Sequence, residues 1–78
     1  MYKTMSKEEM AMIIGYNVRY VREGTTYKQG EVAEKIGTGR TSYVNIERGV
    51  VVPKMLTLLK LANLFNVKIE RFLQGIEV

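Results

Sequence analysis

Arg40, Thr41, Ser42 and Asn45 are four polar side chains of the kinds that read nucleic-acid bases, and they fall within two turns of one short helical segment. The arginine guanidinium is a planar fork that suits the O6 and N7 acceptors of guanine, and an asparagine carboxamide can pair with N6 and N7 of adenine. Serine and threonine hydroxyls donate to or accept from base edges and phosphates alike. On the same segment Tyr43 and Ile46 stand i, i+3 and are expected to turn inward, which leaves the polar four facing out.

Presenting such a face to a duplex needs a supporting helix, a tight turn and a second helix crossing it steeply, and Gln29 to Gly49 has that spacing. Val32, Ala33 and Ile36 form an i, i+1, i+4 apolar edge on the first helix, about residues 29–36, and the small Ala33 allows a close crossing. Gly37 ends that helix, since glycine takes positive φ without penalty, and a turn of three to four residues swings the next helix through roughly 90 to 120°. Gly39 is an acceptable N-cap for the second helix, about residues 40–48, and Gly49 stops it.

The rest of the chain supplies the frame. The first five residues read as a flexible arm, and Ser6 with Glu9 forms a capping box that starts helix 1. Met10, Ile13, Ile14, Asn17, Val18 and Val21 then repeat as an amphipathic stripe ending at Gly24. Val50, Val51 and Val52 precede Pro53 too closely for a strand and read as a loop. Helix 4, from about Lys54 to Phe65, directs Met55, Leu58, Leu61, Ala62 and Phe65 inward, and Asn66 can take the left-handed position after it. A short fifth helix, Ile69 to Gln74, has Phe72 and Leu73 inward and Gly75 as its stop. The expectation is an all-α, compact five-helix domain over residues 6–75, with an arm at 1–5 and a tail at 76–78.

At 78 residues the chain is one domain near the lower limit for a self-sufficient core. Neither cysteine nor histidine occurs, which rules out disulfides, zinc fingers and Cys- or His-based catalysis. An enzyme is not expected, nor a cofactor, metal or small-molecule ligand. No apolar run approaches the roughly 20 residues of a membrane span, and the N-terminus lacks the order of a signal peptide. A cytoplasmic, nucleoid-associated setting is expected. Twelve Lys and Arg against eight Asp and Glu give a formal charge of +4, which favours polyanionic partners.

Gln29-x-x-Val32-Ala33-x-x-Ile36-Gly37, then Arg40-Thr41-Ser42-Tyr43-x-x-Ile46-Glu47-Arg48-Gly49, then Pro53 and Leu58-x-x-Leu61-Ala62, resembles the phage repressor and Cro type of helix-turn-helix domain, also called the xenobiotic-response-element type. The likeness runs from about Ile14 to Gly75. It implies a lambda-repressor-like fold and a sequence-specific transcriptional regulator, most often a repressor that sets its third helix into the major groove of double-stranded DNA and binds a two-fold operator as a homodimer. Arg40, Thr41 and Asn45 match the base-contacting positions. Val44 shares that face and would either pack on a thymine methyl group or touch the edge of the core. Gln29 would sit above a phosphate or brace the third helix, and Ser42 would meet a phosphate or cap the turn. Arg22 and Glu47 match a structural ion pair that joins helix 1 to the end of helix 3.

Two departures alter this picture. The loop after Gly49 is usually basic and touches the DNA backbone, whereas here it is three valines, which leaves Arg48 and Lys54 as the nearby phosphate contacts. Lys28 and Lys68 stand where Ser, Thr or Asp would cap helices 2 and 5, and Lys28 gains a use if its ammonium meets a phosphate. Val51, Val52 and Leu56 would form an apolar patch beside the DNA-facing side, a candidate dimer interface, with Ile76 to Val78 as the other candidate. A row of Met12, Tyr16 and Tyr20 on helix 1 lies off the core stripe. The alternative function is a protein-interaction module that keeps the fold without specific DNA binding and uses the valines or the tyrosines.

Overall fold

Ser6 accepts a hydrogen bond from the Glu9 amide at 3.0 Å while the Glu9 carboxylate takes the Ser6 amide at 2.9 Å, and this reciprocal cap opens the first helix. The structure, a computed structural model, describes residues 4–77; Met1 to Lys3 of the expected arm and Val78 of the expected tail lie outside them. The elements are α1 (Lys7–Glu23), α2 (Gln29–Ile36), α3 (Arg40–Glu47), α4 (Met55–Phe65) and a closing 3-10 helix (Ile69–Leu73). No strand occurs among the described residues, and none of their helices is long and apolar enough to cross a membrane.

The helices stop for local reasons. α1 ends at Glu23, where Thr25 folds back so that its hydroxyl donates to the Arg22 carbonyl at 2.6 Å; Gly24 stays right-handed at φ −79°. α2 ends on Gly37 at φ 75°, and α4 ends on Asn66 at φ 56°, both left-handed turns that return an amide to the last carbonyls.

Ile14 and Val18 of α1, Val32, Ala33 and Ile36 of α2, Tyr43 and Ile46 of α3, Leu58, Leu61 and Ala62 of α4, and Phe72 form one buried cluster. α1 packs against α3 and the 3-10 helix, and α2 packs against α3 and α4. Asn17, on the apolar stripe of α1, is buried because its amide nitrogen donates to the carbonyls of Phe72 and Gln74, each at 2.9 Å. That pair of bonds ties the chain's closing turn to α1 and satisfies a polar group that would otherwise destabilise the core.

Three sequence expectations are corrected. The fifth helix is a 3-10 helix of five residues, a tighter coil that short runs favour. Within it Phe72 is fully buried while Leu73 is exposed, because at three residues per turn Phe72 shares the inward face with Ile69, which also packs against the core, and Leu73 is turned a third of the way round. Met55 is also exposed: the first turn of α4 overhangs the core, which Leu58 is the first residue of that helix to enter.

Candidate nucleic-acid interface

Three contacts from below fix α3. Tyr43 and Ile46 anchor it in the core. Gly15 of α1 lies so close to its C-terminal end that a Cβ there would come within 2.4 Å of the Ile46 carbonyl oxygen and 2.9 Å of the Gly49 backbone. Gly49 returns the approach at φ 74°, with its own missing Cβ only 2.8 Å from the Met12 Cα. The third contact is the Glu47 carboxylate, whose side chain is only 2% exposed.

Four donated hydrogen bonds converge on that carboxylate. Arg22 gives two, Nε to Oε2 at 2.5 Å and Nη2 to Oε1 at 3.1 Å; Gln29 gives one from Nε2 to Oε1 at 2.9 Å; and the Tyr43 hydroxyl donates to Oε2. A carboxylate offers about four lone-pair sites, so this one is saturated. Arg22 Nη1 also donates to the Tyr27 carbonyl at 3.1 Å, so the α1–α2 linker joins the same knot. Burial pushes the Glu47 carboxyl up, but the hydrogen bonds from Arg22, Tyr43 and Gln29 outweigh it and hold the group below its ordinary value. The bond to Glu47 raises Arg22 further, and burial together with the same carboxylate pushes the Tyr43 hydroxyl well up.

The upper face of α3 is open. Arg40, Thr41, Ser42 and Arg48 are exposed, and Val44 and Asn45 are half-buried. Arg48 Nη1 donates to the Asn45 carboxamide oxygen at 3.2 Å. Arg40 lays its stem over α2, where its Cδ is 3.8 Å from the place a Cβ on Gly30 would occupy. Arg40 and Lys28 line one shallow groove with Gly30, Glu31 and Glu34. A second groove, between α3 and the start of α4, brings Ser42 and Asn45 together with Val51, Val52 and Lys54. No side chain caps α2, α3 or α4; at α2 the Glu31 carboxylate takes the Lys28 amide at 2.8 Å. Gln29 is half-buried and spends its amide nitrogen on Glu47, and Leu56 projects from α4 outside both grooves.

Several of these features are not legible in the sequence. A glycine inside a long helix pattern, as Gly15 is, signals a close backbone approach, but what it approaches depends on the fold. The helical period places Tyr43 in the core, and its buried hydroxyl needs a partner that the period does not name. Glu31 and Glu34 share a groove with Arg40 only through the crossing of α2 and α3, which local spacing does not reveal.

Comparison with known proteins agrees with this architecture. Residues 15–78 match the family described as "Helix-turn-helix domain". The HTH-type transcriptional regulator ImmR of Bacillus subtilis is 39% identical over 67 residues, which is 86% of this chain and 53% of that protein; the chain thus spans about half the length of this curated relative. Among solved structures, the SOS-response transcriptional repressor LexA from Eubacterium rectale superposes with a TM-score of 0.81 at 21% identity, over 95% of this chain and 81% of that one. The restriction-modification controller protein C.AhdI from Aeromonas hydrophila superposes with a TM-score of 0.75 at 22% identity, over 80% and 94%. These two share the fold. With a matching profile over most of its length and α2, the Gly37 turn and α3 in the required order, the chain belongs to the helix-turn-helix domain family.

Proposed function

We propose that this protein is a sequence-specific DNA-binding transcriptional regulator, acting as a repressor by setting α3 into the major groove of a two-fold operator. The observation that carries this reading is the division of α3 into a locked lower face and an open polar upper face. Eight residues of helix span about 12 Å, the width of the groove. A helix saturated with contacts on one side keeps a fixed orientation, which base readout requires.

On this reading Arg40, Thr41, Val44 and Asn45 face base edges. Lys28, Ser42, Arg48 and Lys54 meet phosphates around them, with Gln29 at the leading turn of α2. The homology to a transcriptional regulator supports the regulatory role. Two copies on one face of B-DNA place their α3 helices about one turn apart, so the operator is an inverted repeat with half-sites centred roughly 10 to 10.5 base pairs apart. Val51 and Val52, both exposed, and Leu56 border the side on which the copies meet.

Selection from random duplexes, followed by titration of the selected and a random sequence at two salt concentrations, tests the reading. The expected preference is about 1,000-fold or more, with both affinities falling as salt rises. Equal affinity for both duplexes would favour the second reading, a protein-interaction module, which the exposed valines and the Met12, Tyr16 and Tyr20 row support.

A further inference from the structure

We infer that Arg48 is a positioning residue for base readout: its guanidinium fixes the Asn45 carboxamide in one of two orientations and so sharpens the preference at a single base pair. That role rests on the DNA reading above and goes beyond the phosphate contact named there.

A carboxamide has an acceptor at one end and donors at the other, and half a turn exchanges them with little change of shape. An asparagine free to turn matches two opposite orders of donor and acceptor on a base edge, whereas one that is held matches a single order. Arg48 supplies the hold. From the position that caps α3, its Nη1 donates to Asn45 Oδ1 at 3.2 Å. A guanidinium has five N–H donors and no acceptor, so only the oxygen end of the carboxamide can face it. A flipped Asn45 would set N–H against N–H.

The backbone under both side chains is fixed. The Arg48 amide donates to the Val44 carbonyl at 2.9 Å, and the Val50 amide closes on the Asn45 carbonyl at 3.3 Å. Arg48 stands between two anchored neighbours, Glu47 with its saturated carboxylate and Gly49 against the Met12 backbone. Its own side chain is exposed, and no carboxylate draws it away: among the described residues the ion pairs are Arg19 with Glu23 and Arg22 with Glu47. Asn45 is half-buried and lines one groove with Ser42 and Lys54, where the base-facing and phosphate-facing sides meet. With one N–H of Arg48 spent on Asn45, four remain for a phosphate. An anion there pins the guanidinium and, by polarising it, strengthens the bond to Asn45. A backbone contact that is itself blind to sequence thus contributes to base selection.

Affinities of the full chain for a selected operator and its single base-pair variants, measured for wild type, Asn45→Ala, Arg48→Met and the double variant, test the inference. The base pair that belongs to Asn45 is the one whose preference Asn45→Ala relaxes. Arg48→Met keeps an apolar stem at an exposed site, so circular dichroism should show an unchanged fold. It should weaken binding to every duplex through the lost phosphate contact and, in addition, shrink the preference at the Asn45 pair about 3- to 10-fold, leaving the other pairs as they were. In the Asn45→Ala background it should leave that preference unchanged. Uniform weakening with the preference intact would overturn the inference and reduce Arg48 to a phosphate contact. A second measurement needs no DNA: in the free protein, the NMR signals of the Asn45 side-chain amide should shift when Arg48 becomes methionine. Unmoved signals would also overturn the inference, by showing that the carboxamide is not held. A chain that selects no operator refutes the reading above, whereas the hold is judged by these signals.

Discussion

Replacing Gly15 with alanine should destabilise the protein even though alanine is the better helix former. The added Cβ would meet the Ile46 carbonyl oxygen at 2.4 Å and the Gly49 Cα and N at 2.9 Å, against an ordinary contact of at least 3.4 Å. All three obstacles are backbone atoms, so no side-chain rotation relieves them, and α1 must move from the end of α3 by about 1 Å. Removing glycine from a helix interior contributes about 1 kcal/mol in favour of folding. Overpacking of this kind costs about 1–3 kcal/mol and, against rigid backbone, falls at or above the upper end. A net loss of about 2 kcal/mol remains, large against a total of roughly 4–12 kcal/mol for a chain of this length. It should lower the melting temperature by about 4–8 °C per kcal/mol. Gly30→Ala is the matched control, because a Cβ there meets only the Arg40 stem at 3.8 Å; it should stabilise α2 by about 0.5–1 kcal/mol. Urea melts of both variants measure the difference. A Gly15→Ala protein as stable as wild type, or a Gly30→Ala protein that loses as much, would refute the close-approach argument.

The Glu47 knot yields two further predictions. Arg22→Ala and Glu47→Ala should each lower stability by roughly 3–5 kcal/mol, since each strands a buried partner, and the double variant should lose less than the sum; strict additivity in a double-mutant cycle would show that the pair does not interact. Because hydrogen bonds hold the Glu47 carboxyl below its ordinary 4.5, its contribution is complete above that pH and disappears as pH falls through the lowered folded value. Acid titration of stability should therefore steepen below about pH 4.5 in the wild type and flatten there in Glu47→Gln, and identical acid limbs would contradict the assignment.

The features legible in the sequence are those set by a few adjacent residues. The Ser6 and Glu9 cap, the left-handed Gly37 and Asn66 and the inward pair Tyr43 and Ile46 depend on local spacing, and they sit where spacing puts them. That inward pair determines which way the rest of α3 faces, so the exposure of Arg40, Thr41 and Ser42 follows from the helical period. Features that depend on a distant partner are hidden. Asn17 interrupts an apolar stripe and is explained only by carbonyls 55 and 57 residues away. The burial of Phe72 and exposure of Leu73 depend on the path of a 3-10 turn, which carries too few residues to show a period. Met55 fits the inward phase of α4 yet lies beyond the edge of the core, a boundary set by its neighbours.

The most direct test of the central claim, that the open face of α3 reads base sequence, is the effect of Arg40→Ala on a selected operator and on random duplex at fixed salt, with Lys54→Ala alongside. Arg40→Ala should lose about 1–3 kcal/mol on the operator, relax the preference at one base pair and change random binding far less. Lys54→Ala should weaken both duplexes alike and reduce the salt slope by about one. Equal losses on operator and random DNA for Arg40→Ala would contradict the claim.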